Sequence, residues 1–189
     1  MSSYGVAHEH CAAGRGRLSI GRNDNLRYDS AMSHRKSRDV VALVYDGLCT
    51  FEFGIAVEIF GLPRPELGPD WYRFRVSSLD AGPLRAAGGV FLKAAGDMAQ
   101  LSRAGTIIIP GWKGPDVVPS GRLIAALRKA HARGARLVSI CSGVFVLAAT
   151  GLLNGRRATT HWRYIEALRS RYPKVHVEPD VLYVDEDRT

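Results

Sequence analysis

Residues 136–151, RLVSICSGVFVLAATG, set a short β-favouring run, Arg136 to Ile140, before a cysteine, and follow it with small and then apolar residues. A run of that length rich in Leu, Val and Ile suits a strand buried on both faces, and the small residues after Cys141 suit a helix packed closely against it. The helix is predicted to start at Ser142, with Gly143 letting the backbone turn sharply. Strand, sharp turn and helix around one residue are the mechanics of a nucleophile elbow, here with Cys in place of Ser. The N–H groups and positive dipole end of such a helix point at the sulfur and favour its thiolate. The spacing alone leaves two readings of Cys141 open, a buried structural cysteine and a reactive one.

Working outward, strands and helices alternate from Asp39 onward. Val40 to Tyr45 is a continuous β run closed by Asp46-Gly47, and Glu52 to Phe60 reads as a helix stopped by Gly61 and Pro63. Tyr72 to Leu79 is a second strand, and short strands near Leu84 and over 90–92 flank a hairpin turn at Gly88-Gly89. Thr106 to Ile109 follows, closed by Pro110-Gly111. Ser120 caps a helix with Leu123, Leu127 and Ala130 on one face, ended by Gly134. Thr160 is predicted to cap another, with Trp162, Ile165, Leu168 and Tyr172 on one side and Pro173 as its stop. Val181 to Val184 reads as a final strand. Strands joined by crossover helices give an α/β fold, doubly wound, with a mainly parallel sheet and helices on both faces. In such folds ligands lie at the carboxyl ends of the strands, where Cys141, the segment Asp46 to Glu52, and Gly111-Trp112 all fall.

The composition of this 189-residue chain, 46% hydrophobic and 23% charged, is that of one globular domain. Cys11, Cys49 and Cys141 are far apart and lack CxxC or Cys/His spacing, so neither a disulfide framework nor a metal site is expected, and a reducing cytoplasm is. The apolar stretch Leu137 to Leu153, 17 residues, includes Ser139, Ser142, Thr150 and two glycines. A bilayer span needs about 20 predominantly apolar residues, and strand, turn and helix explain this one better. The net charge of +8 suggests nucleic acid until it is located. Residues 1–38 hold seven Lys/Arg against three acids, half the excess, and the rest is spread without an aromatic-interleaved stripe. Those 38 residues show no periodicity and are rich in Gly, Ser, Arg and Asn, so they read as a disordered tail, or as an over-extended start before Met32.

The stretches LVSICSGVFVLAATGLLNGRRATTHW (137–162), YDGLCTFEFGIAVEIFG (45–61) and IIIPGW (107–112) resemble the PfpI-like superfamily, relatives of the class I glutamine amidotransferases. The resemblance covers 39–189 and is strongest to the branch fused to AraC-type transcriptional regulators, including the FtrA-like group; isonitrile hydratases share much of the pattern. It implies a flavodoxin-like fold and a homodimer. It matches Cys141 to the elbow cysteine and Glu52 to the acid that hydrogen-bonds that sulfur, and a carboxyl kept protonated by burial could donate to a thiolate. Gly111 and the N–H of Ser142 would form an anion pocket, with Gly143 at the turn and Trp112 as its wall. One departure matters: the position after Cys141 is Ser142, where the PfpI proteases carry a histidine. His161, in TTHW, is the remaining base candidate, outweighed by a structural or pocket-lining role, and no Cys/His/Asp triad can be read.

Two functions follow. The first is a ligand-sensing domain, residues 39–189, of an AraC-type regulator, incomplete at its C-terminus, with DNA bound only through a helix-turn-helix domain beyond this chain. It needs a small-molecule ligand, and no cofactor, metal or membrane. The second is a Cys-dependent hydrolase or hydratase using Cys141 and Glu52.

Overall fold

The run Val40–Val44 has no exposed side chain, and it forms one of the two inner strands of a four-stranded parallel sheet. The computed structural model of the chain describes residues 37–186 and 189. The predicted tail lies outside the described residues apart from Ser37 and Arg38, the latter paired with Asp70. The strands are β1 (Asp39–Val44), β2 (Arg73–Ser78), β5 (Thr106–Pro110) and β6 (Arg136–Ile140), in the order β2-β1-β5-β6. Between β2 and β5 lies the predicted hairpin, β3 (Leu84–Arg85) against β4 (Phe91–Leu92). Its turn needs glycine, because Gly88 and Gly89 both have φ 77. A third, two-stranded sheet pairs β7 (Arg157–Ala158) with β8 (His176–Val177).

Alternation along the strands divides the core between the two faces of the sheet. Val40, Ala42 and Ile108 pack with Ala56 and Phe53 of helix α1 (Thr50–Ala56), while Val41, Leu43, Ile107, Ile109 and Leu137 pack with Leu123, Leu127 and Ala130 of α2 (Gly121–Ala132) and with α3 (Val144–Ala149). Each Val, Leu or Ile among them contributes about 1.5–3 kcal/mol on burial. Helices therefore cover both faces, as the doubly wound reading requires. Helix α1 starts two residues before the predicted Glu52 and passes into a π-helical turn, Val57–Gly61, at its end. Ser120 caps α2 as predicted, accepting from the Leu123 N–H at 3.2 Å.

Four expectations need correction. Thr160 does not cap the helix α4 (Ile165–Arg171); a 3₁₀ turn, Trp162–Tyr164, precedes it, and His161 caps that turn by accepting from the Arg163 N–H. Trp162 leaves the apolar face because it sits in that turn, and is 76% exposed. Val181 to Val184 pairs with no strand among the described residues, and Leu182 is wholly exposed. As a result β6 is an edge strand whose Val138, Ser139 and Ile140 are only half-buried, and not the strand buried on both faces that its composition suggested.

No helix among the described residues is long and apolar enough to cross a membrane.

Candidate functional site

Cys141 follows β6 directly and has φ 54, the only positive φ of a non-glycine residue among the described residues. A left-handed β-carbon costs about 1–2 kcal/mol, so the surrounding packing must hold it. Gly143 was expected to supply the sharp turn, but its φ of −57 is ordinary helix. The cysteine itself takes the strain. What Gly143 supplies is closeness: a Cβ there would stand 2.3 Å from the Ile109 carbonyl oxygen. The elbow is thus seated directly on the end of β5.

Ser142 is buried, and its hydroxyl ties the elbow to the loop after β5. It accepts from the Trp112 N–H at 2.8 Å and donates to the Trp112 carbonyl at 3.1 Å. Gly111, at φ 75, donates its N–H to the Ile140 carbonyl at 3.1 Å, so that donor is not free for an anion. The Trp112 ring meets Tyr45 with centroids 5.0 Å apart, and its indole N–H donates to the Val117 carbonyl at 2.7 Å. Gly111, Trp112, Ser142 and Gly143 are all buried, so they frame the site from behind. Of the expected anion pocket, the Ser142 N–H remains, directed at the Cys141 sulfur.

Glu52 and Cys141, distant in sequence, do meet: the half-buried first turn of α1 brings the carboxyl group into a hydrogen bond with the thiol. A residue that sequence reasoning passed over joins them. Cys49 stands at the N-cap of α1, one turn before Glu52, with its sulfur against Gly111 and beside Tyr45. The signal was available, since positions i and i+3 share a helix face, but the sequence reading weighs Cys49 only for disulfide and metal spacing. Tyr45 donates its O–H to the Pro110 carbonyl at 3.1 Å. Burial and its neighbours Cys49 and Glu52 raise the Tyr45 phenol far above its usual range.

His161 is exposed, with its Nδ1 engaged by the Arg163 N–H and its ring beside Trp162. Its neighbour Thr160 donates to the Cys141 carbonyl at 2.8 Å and so holds this segment to the elbow. Cys141, Thr160 and His161 border one end of a cavity of about 750 Å³ that runs along β6 beneath Val181 to Val184. Glu52, Gly111, Trp112, Ser142 and Gly143 do not line it.

The sequence matches the DJ-1/PfpI family over residues 38–187. The chain belongs to that family. An uncharacterized protein of the cpoL 5′ region of Streptomyces lividans is 36% identical over 71% of this chain and 94% of its own length. The HTH-type transcriptional regulator CdhR of Pseudomonas aeruginosa is 32% identical over 80% of this chain, which spans only 45% of that regulator. In fold, the crystal structure of an AraC family transcriptional regulator from Pseudomonas putida superposes with a TM-score of 0.65 at 21% identity, covering 79% of this chain and 80% of that one.

In this DJ-1/PfpI domain burial opposes the activation of the sulfur that the helix-dipole argument suggested. Burial pushes the Cys141 thiol up to about 11, and the hydrogen bond to Glu52, in which the thiol is the donor, adds to that. The Ser142 N–H pulls the other way but is outweighed. Helix α3 is preceded by a 3₁₀ turn over Cys141–Gly143, which leaves a short dipole against a burial cost. At pH 7.5 iodoacetamide should therefore modify Cys141 about a hundredfold more slowly than a free thiol, and the rate should climb with pH toward about 11. Glu52→Gln removes the charge that opposes the thiolate and should raise the neutral-pH rate several-fold. A rate that levels off below pH 8 would contradict the assignment. Because the folded thiol titrates above the unfolded one, its contribution to stability is present below the unfolded value and is lost as pH rises through about 11.

Proposed function

We propose that the chain is the sensory domain of an AraC-type transcriptional regulator, and that it binds a small molecule in the cavity bordered by Cys141, Thr160 and His161. DNA would be bound by a helix-turn-helix domain of the same polypeptide and the working unit would be a homodimer. The observation that carries the reading is the position of Ser142. Covalent turnover calls for a group within reach of the sulfur that can shuttle protons, and here the side chain after the elbow cysteine is buried and committed to both polar groups of the Trp112 backbone. The protonated, hydrogen-bonded thiol of Cys141 supports the same conclusion. The match to CdhR supports the regulatory class.

The competing reading, a Cys-dependent hydrolase or hydratase, draws on the strained φ of Cys141 and its contact with Glu52. Short amides, isonitriles, dicarbonyls and peptides should be tested for turnover and, in parallel, for thermal shift. A ligand at a hundred times its Kd stabilises by about 2.7 kcal/mol. A shift without turnover, lost when Thr160 is replaced by a bulkier residue that closes the cavity mouth, is the expected result. Turnover on the order of 10 per second, abolished by Cys141→Ser, would establish the enzyme. An in-frame continuation of the gene encoding two helix-turn-helix units would decide the regulatory class independently.

A further inference from the structure

The positive charge that is spread along the sequence is gathered by the fold. Arg73 and Arg75 share Asp39, while Arg85, Arg157 and Arg171 pair with Asp46, Glu186 and Asp116. Around α2 the cations go unanswered. Arg122, Arg128 and Lys129 on the helix, Arg133 at its C-cap, Arg136 at the start of β6 and Arg103 after the 3₁₀ turn Met98–Ser102 are all exposed, and none forms an ion pair among the described residues. The sequence holds no Asp or Glu over 117–165. Arg133 donates to the Leu101 carbonyl at 3.0 Å, which draws the 3₁₀ turn and Arg103 against this end of α2. With Leu123, Leu127 and Ala130 turned to the core, the helical period puts Ala125 and Ala132 on the outermost line, Arg122, Lys129 and Arg133 along one flank and Arg128 on the other. That ridge runs about 16 Å. Lys129 and Arg133 gain from the negative end of the helix dipole, but Arg122 stands in the first turn, where a cation is disfavoured and no acid accompanies it. Helix stability does not explain its charge.

We propose that this face of α2, with Arg103 and Arg136 at its end, docks on the phosphate backbone of duplex DNA, as a second contact beside the helix-turn-helix that reads sequence. The proposal rests on the regulatory reading for its choice of DNA among polyanions, and it departs from the expectation that DNA is met only through the helix-turn-helix domain. A duplex carries one negative charge per about 1.7 Å of its axis, so cations strung along the ridge meet phosphates in any register. Such contacts position a protein without reading bases. Arginine forks suit phosphate oxygens, and the alanines between them keep the ridge low enough for close approach. An acidic protein partner would call for an apolar or aromatic anchor at the centre of the patch, and the outermost line of α2 offers only Ala125 and Ala132.

The experiment titrates the whole chain against a short fluorescent duplex of arbitrary sequence and follows anisotropy at salt concentrations between about 50 and 200 mM. Binding should weaken steeply with salt. The triple variant Arg122→Gln, Arg128→Gln and Lys129→Gln should bind about tenfold or more weakly, and its slope of log K against log salt should be shallower by about 2–3, since each phosphate contact contributes about 0.9. Glutamine matches arginine and lysine in helix propensity, so the melting temperature should stay at that of the parent. Should the triple variant fail to fold, Arg122→Gln alone should lower the slope by about 0.9, and Arg122→Lys should restore it. A triple variant that binds as the parent does would overturn the proposal. So would loss of all duplex binding when Arg15, Arg17, Arg22 and Arg27 are replaced by glutamine, which would assign the contact to the first 38 residues. Polyglutamate displacing the duplex as effectively as unlabelled DNA of equal charge would also overturn it, in favour of an acidic protein. None of Arg122, Arg128 and Lys129 lines the cavity at Cys141, so ligand thermal shift and turnover should be the same in the triple variant. Those two measurements judge the regulatory reading, and the salt slope judges this surface.

Discussion

Replacing Gly143 with alanine should unfold the elbow or the whole domain. The added Cβ would lie 2.3 Å from the Ile109 carbonyl oxygen, 3.2 Å from its carbon and 3.3 Å from the Gly111 nitrogen. All three are backbone atoms of β5 and the loop after it, so no side chain can swing aside. Relief requires α3 and β5 to separate, which would break the bonds between Ser142 and Trp112 and open the buried run Val144–Ala148. Overpacking of this kind costs about 1–3 kcal/mol where a core can adjust, and here it adds the loss of a buried hydrogen bond worth about 1–3 kcal/mol in unsatisfied groups. At roughly 2–4 °C per kcal/mol for a domain of this size, the melting temperature should fall by about 10 °C, read by calorimetry or circular dichroism. Alanine at Gly121 is the control, because its Cβ would meet nothing within 4 Å. A Gly143→Ala chain that melts with the parent would mean that the elbow does not sit on β5.

The contrast between these two glycines shows what a sequence can and cannot convey. The parallel sheet was legible because Val40–Val44 and Thr106–Ile109 are continuous apolar runs, and such runs have few other ways to be buried. The hairpin at Gly88-Gly89 and the Ser120 cap were legible because the chemistry there is local. Gly143 was singled out correctly and explained wrongly. Its neighbour in space, Ile109, is remote in sequence, and the left-handed conformation fell instead on Cys141, where nothing local would predict it. Cys141 and Glu52 were joined by resemblance, whereas Cys49 entered the site through its place one helical turn before Glu52. The edge character of β6 was hidden for a related reason. Apolar continuity reports what a strand is suited to, and whether a neighbouring strand covers it depends on residues such as Val181 to Val184, whose alternation does not specify a partner.

Phe145→Ala should separate the stability of the elbow from the chemistry of its sulfur. Phe145 is 1% exposed and sits on the first turn of α3, where its ring meets Tyr164 edge-on at 6.0 Å and Tyr172 at 6.4 Å. It therefore fastens α3 to the 3₁₀ turn before α4 and to the end of α4. Truncating a buried phenylalanine costs about 3–5 kcal/mol, which corresponds to a fall of roughly 10 °C at the slope expected for this size. A further consequence follows from φ 54 at Cys141. Strained backbone persists only where the surroundings over-determine it, and α3 is what holds the elbow down. With α3 loosened, Cys141 can relax toward ordinary φ, its sulfur gains access to water, and the burial that keeps the thiol protonated weakens. The iodoacetamide rate at neutral pH should then rise while the melting temperature falls. Phe145→Leu, which fills most of the space, should lose less stability and leave the rate near that of the parent. A destabilised Phe145→Ala domain whose Cys141 reacts no faster, at a temperature where it is still folded, would show that α3 does not hold the cysteine in its conformation and that the strain is set by β6 and Ser142 alone.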